Sequence, residues 1–195
     1  MISKPSTLKL LIIPVVAAVA ACSSDSDDNP DVNPVEDVAE VSNLSEVDSG
    51  DFSDDPSSPN TWVLGAGVNQ LSASTVVGDL DYVNFTVGTG DTLDTITLNA
   101  YNSDEGDEVA FFALQQGTIF TVTPGEAQVD TSTLFGFRHF GSGDVGQDVL
   151  AEAGQAARAI GFTSPLPEGE YTIWLNQTGG LATYTLDFAV SRVAQ

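Results

Sequence analysis

The chain has 195 residues, 28 Asp and Glu against 5 Lys and Arg, a formal net charge of -23 and a pI of about 4.1. That length is one domain with room for a tail, and a polyanion without clustered Lys and Arg is excluded as a binder of nucleic-acid backbones. A single Cys excludes an intrachain disulfide framework and a Cys-built zinc site, and a single His leaves few options for His-dependent catalysis.

Residues 1–21 read as a secretory signal. Lys4 and Lys9 make a basic front, and Leu10 to Ala21 follows without a charge. That run suits a signal core and falls short of the roughly 18 apolar residues of a spanning helix. Val19-Ala20-Ala21-Cys22 resembles the lipobox of bacterial lipoproteins. The resemblance implies cleavage before Cys22, a diacylglyceryl group on its thiol and anchoring to a membrane. Two or three acyl chains, at about 0.8 kcal/mol per buried methylene, hold firmly. Ser23 and Ser24 after the cysteine imply, by the same resemblance, the outer membrane, on its periplasmic or cell-surface face.

Residues 22–45 are expected to be an acidic disordered tether. From residue 23 to 60 the chain carries 12 acids and no base, with several Pro, Ser and Asn. Such a segment has little apolar surface to offset ordering entropy, and its charges repel one another.

Residues 46–195 are expected to be a β-sandwich domain. Candidate strands are 62–64, 68–77, 81–87, 95–101, 109–114, 119–123, 171–176 and 182–190. The last is the clearest, with Tyr184, Leu186, Phe188 and Val190 alternating with Thr183, Thr185, Asp187 and Ala189. Segment 109–114 is apolar on both faces, as a central strand should be. Turn chemistry separates the runs: Gly78-Asp79, Gly88-Thr89-Gly90-Asp91, Pro167-Glu168-Gly169 and Gly179-Gly180. The expected fold is all-β: an antiparallel, jelly-roll-like β-sandwich of about eight strands. One long loop, 125–162, interrupts it. A short helix is expected within 148–160, where Val149, Ala153, Ala156 and Ile160 have helical spacing.

The run Gly78-Asp79-Leu80-Asp81-Tyr82-Val83-Asn84-Phe85-Thr86-Val87 is similar to the central motif of bacterial pre-peptidase C-terminal domains. The wider pattern is similar to uncharacterised exported bacterial proteins of that general type. The resemblance implies a small exported β-sandwich, some relatives of which bind calcium or insoluble polymers.

Three kinds of chemistry are readable. Calcium takes six to eight oxygens from loop carboxylates and carbonyls. Asp79 and Asp81 flank a turn into a strand, and Asp104, Glu105, Asp107 and Glu108 crowd one glycine, so both groups are candidate ligands; the other reading is solvated acids and turn caps. Phe135, Phe137, Arg138, His139 and Phe140 form a candidate platform for a glycan or a peptide, or a plug at one end of the core. No Gly-x-Ser-x-Gly elbow supports a catalytic role for His139. The reading is a membrane-anchored, non-enzymatic envelope or cell-surface lipoprotein, an adhesion or ligand-binding module for glycan or protein, with calcium as a candidate aid. A structural envelope protein with a partner subunit is the alternative; a hydrolase comes third.

Overall fold

The computed structural model describes residues 39–105, 109–122, 130–177 and 179–192. They fall in the second of two units of the chain, Glu36–Gln195. The expected signal, Cys22, most of the tether, Asp107 and Glu108 lie outside the described residues.

The fold is an all-β sandwich. Its strands are β1 (Asn43–Ser45), β2 (Asn60–Leu64), β3 (Gly67–Thr75), β4 (Leu80–Val87), β5 (Asp91–Ser103), β6 (Ala110–Gln116), β7 (Gly136–Phe140), β8 (Gly169–Gln177) and β9 (Ala182–Arg192). One sheet has the order β1-β3-β9-β5 and the other β2-β4-β8-β6-β7. The sheets are mixed where antiparallel ones were expected: β1 lies parallel to β3 and β2 parallel to β4. The cause is the path of the chain. From β1 to β5 successive strands alternate between the two sheets, so the chain returns to each sheet running the same way.

Period-two alternation puts Val83, Phe85, Tyr171, Ile173 and Leu175 of one sheet against Leu71, Ile96, Leu186 and Phe188 of the other. Burial of this apolar surface drives the fold at roughly 25 cal/mol per Å². β6 is apolar on both faces because both are covered. Phe112 and Leu114 enter the core, and Ala113 joins a second cluster with Tyr82, Phe120, Leu134 and Trp174 on the outer face. Segment 119–123 was expected as a strand but is not one over its described residues. Phe120 instead caps that outer cluster, its N–H bonded to Pro56 O at 2.8 Å.

Two bulges in β5 fall at Asp94 and Asn99. An extra residue reverses the facing of everything after it. Tyr101 therefore turns inward beside Phe140, and Ala100 turns outward, the opposite of a simple alternation from Ile96. The outer edge of β5 is blocked by Gly146 and Gln147, which exchange backbone bonds with Leu98, and by Leu166, which does so with Leu93.

The expected helix is α2 (Val149–Ala153), shorter than the spacing suggested. Asp148 caps it, its side chain accepting from Leu150 and Ala151 N–H. It ends at Gly154, where a Cβ would lie 2.5 Å from Phe162 O, so the chain packs too closely there for any other residue. Strand β1 and helix α1 (Glu46–Ser49) straddle the expected tether boundary. Ser45 caps α1 by accepting from Val47 N–H, and Gly50 ends it at φ 83°. No helix among the described residues is long and apolar enough to cross a membrane.

Candidate functional site

The sequence alternation of β4 sends Asp81 inward, on the same side as Val83 and Phe85, at the end of the sandwich where the apolar core stops. Its side chain is fully buried. Oδ2 accepts from the Tyr184 hydroxyl at 3.2 Å, and Oδ1 has no hydrogen-bond partner. An orphaned carboxylate oxygen in a dry site costs several kcal/mol unless it is protonated or meets a cation.

Two more acids close over it. Glu46, on α1, is steered by Ser74, whose N–H and Oγ–H both donate to Glu46 Oε2 at 2.7 and 2.9 Å. Its Oε1 is buried and unpartnered. Asp51 follows the glycine that ends α1. One carboxylate oxygen from each of Glu46, Asp51 and Asp81 lies within 4.8 Å of the others. It is the one such group of three among the described residues.

The electrostatics follow from this crowding. Burial, then the charges of Glu46 and Asp79, push the Asp81 carboxyl up to about 9, against the opposing bond from Tyr184. Burial, then Asp51, Asp54 and Glu46, raise Asp79 to about 6. Burial and the neighbouring Asp81 also raise the Tyr184 hydroxyl. Like charges held in low dielectric either share protons or bind a cation. The donor set is all oxygen and anionic and comes from α1, the loop after it and β4. That chemistry fits a hard divalent ion such as calcium, which accepts irregular oxygen cages.

Of the acids expected from sequence, Asp79 and Asp81 are both in this neighbourhood. Asp104 and Glu105 are exposed just past β5 and do not belong to the three-carboxylate group. Glu46, Asp51 and Tyr184 were not anticipated. Their partners are distant in the chain, and the local signals (a Ser-capped turn ending in Gly50-Asp51) speak of geometry and not of ligands.

The five residues of the aromatic run do not share a face, because β7 alternates. Phe140 is fully buried, edge-on to Tyr101 and Tyr184. Arg138 ion-pairs with Asp144 at 2.7 Å and Glu152 at 2.6 Å. Phe135 stacks on Phe162 at 4.9 Å. Phe137 and the exposed His139 lie on the other side, against Phe111. Three of the five are thus held by the sandwich itself, and a two-ring patch is left outside.

A second concavity adjoins the acid cluster. It is a groove of about 540 Å³ floored by β3, β9 and β5 and walled by α1, with Glu46 common to groove and cluster.

No family model matches the chain, and no curated protein does. Among solved structures the chain is similar to the periplasmic inhibitor of g-type lysozyme, PliG, of Aeromonas hydrophila. The two share 19% identity over 68% of this chain and 96% of that chain, with a TM-score of 0.36. A similarity of that depth says nothing about what this chain binds.

Proposed function

We propose that the protein is an exported, lipid-anchored, non-enzymatic binding module whose sandwich holds a calcium ion at Glu46, Asp51 and Asp81, with Asp79 beside them. One observation carries the reading: a fully buried aspartate with an orphaned oxygen, facing two further carboxylates. The ion would supply the positive charge that the chain does not, and would tie α1 to the end of β4. The anchor rests on the resemblance of Val19–Cys22 to a lipobox. The placement at the outer membrane, and the choice of glycan or protein as partner, belong to the same proposal. A purely structural envelope role is the second reading, and no specific contact favours it.

Isothermal titration of the metal-stripped protein with calcium chloride tests the site, with magnesium chloride as the control. Saturable calcium uptake, lost in Asp81→Asn, is expected. Equal, weak heats from both salts would mean simple screening and would end the calcium reading. Membrane fractionation tests the anchor: Cys22→Ser should move the protein to the soluble fraction, and retention on the membrane would remove the lipoprotein reading.

A further inference from the structure

The outer face of the four-stranded sheet carries the groove beside the acid cluster, and its floor is built by register. Ser72 of β3 pairs with Thr185 of β9, which pairs with Ala100 of β5. The next rank in that groove is Ser74, Thr183 and Asn102. Ala100 faces outward because of the bulge at Asn99, and as the smallest side chain of its rank it deepens the floor there. Ser72 Oγ and Thr185 Oγ1 bond to one another at 3.2 Å, so that rank presents its methyl and methylene groups as much as its hydroxyls. The wall is Val47, a large apolar side chain that is 93% exposed at the groove's lip, next to Glu46.

The volume lies in the range of small-ligand and peptide sites. Glu46 is the one charged side chain lining it among the described residues, and the exposed Asp48 sits on the same helical turn. Asp51 and Asp79 stand behind them, so a divalent ion in the cluster would still leave this rim negative. In a chain of charge -23 this field repels anions and draws cations.

We propose that the groove docks a short cationic segment of a partner protein. An apolar side chain would rest on Ala100 against Val47, with an adjacent lysine or arginine facing Glu46 and Asp48. The inference rests on the reading of the protein as a binding module and names the partner's chemistry.

The test is fluorescence anisotropy on the full chain, in calcium and a non-ionic detergent. The probe is a fluorescein-labelled peptide of alternating lysine and leucine; peptides of alternating glutamate and leucine and of alternating lysine and glycine are the comparisons. The lysine–leucine peptide should bind about tenfold or more tighter than either, and added salt should weaken it. Thr185→Arg, which fills the floor and adds a cation, should abolish binding. Val47→Ser, at a site too exposed to affect folding, should weaken it severalfold. Both variants should keep the calcium heats of the parent. Three results would overturn the proposal: equal binding of the lysine–glycine peptide, unchanged binding in both variants, or displacement of the probe by a neutral oligosaccharide. No calcium uptake by the parent chain, with the peptide still bound as expected, would instead strike down the calcium reading alone.

Discussion

Two buried aspartates sit near the two ends of β9 and meet opposite fates. Asp91, at the start of β5, is 2% exposed, and Arg192 grips it with Nε at 2.8 Å and a terminal nitrogen at 3.0 Å. Asp81, near the other end, is equally buried and receives only the Tyr184 hydroxyl, with carboxylates for its nearest charged neighbours. Their partners Tyr184 and Arg192 are eight residues apart along β9, about 26 Å of strand. A buried carboxylate is tolerated when a bidentate guanidinium satisfies both oxygens. The chain places one of its three arginines on Asp91 and none on Asp81. The Asp91 end is satisfied within the chain, whereas Asp81 keeps one oxygen without a hydrogen-bond partner and has no cation of the chain beside it among the described residues.

The comparison breaks most visibly if the guanidinium is removed. Arg192→Met leaves Asp91 buried and uncompensated, so urea unfolding should show a loss of about 3 kcal/mol. Asp81→Asn, in EDTA at pH 8, should cost nothing and should raise stability. If both cost alike, Asp81 has a partner of its own and the contrast fails. Next in size is calcium. At a hundredfold excess over its dissociation constant it should add about 2.7 kcal/mol, read as a melting shift of roughly 5–10 °C. Asp81→Asn should show none of that shift, while Arg192→Met should keep it.

The pH dependence sharpens the same contrast. Asp79 and Asp81 have carboxyls raised in the fold, to about 6 and about 9, above the unfolded value near 4. The native state therefore holds protons that the unfolded chain has released. Stability is full below about pH 4 and is lost as pH rises through those two values. Without metal the protein should be less stable at pH 8 than at pH 5, most of the difference coming from Asp81 and the Asp79 share being screened by solvent. Calcium or Asp81→Asn should flatten that slope; a slope of opposite sign would mean that the cluster is ionised and satisfied without an ion. The smallest effect belongs to the exposed acids after β5. Asp104→Asn with Glu105→Gln should change stability by less than about 0.5 kcal/mol and leave the calcium shift intact. A lost shift would move the ion to that loop.

Much of the sandwich was legible in the sequence, because strand burial is a local, period-two property. The alternation of residues 182–190 survives intact as β9, and the two-faced apolar run of β6 is covered on both sides. What escaped was whatever depends on a partner far along the chain. The bulge at Asn99 shifts the facing of Tyr101 without any change in the pattern of residues. The parallel pairs arise from the order in which strands cross between sheets. The aromatic run read as either a platform or a plug of the core, and it became a strand that divides the two, with Phe140 in the core and His139 outside.

By itself the sequence determined the charge of this protein, its all-β class and the suspicion attached to Asp79 and Asp81, since composition and short-range spacing decide those. The tertiary structure alone decided that Glu46, Asp51 and Tyr184 converge on Asp81 while Arg192 goes to Asp91. Carboxylates interact over a few ångströms of space, and the fold brings residues 46 and 184 to residue 81 although they are remote along the chain.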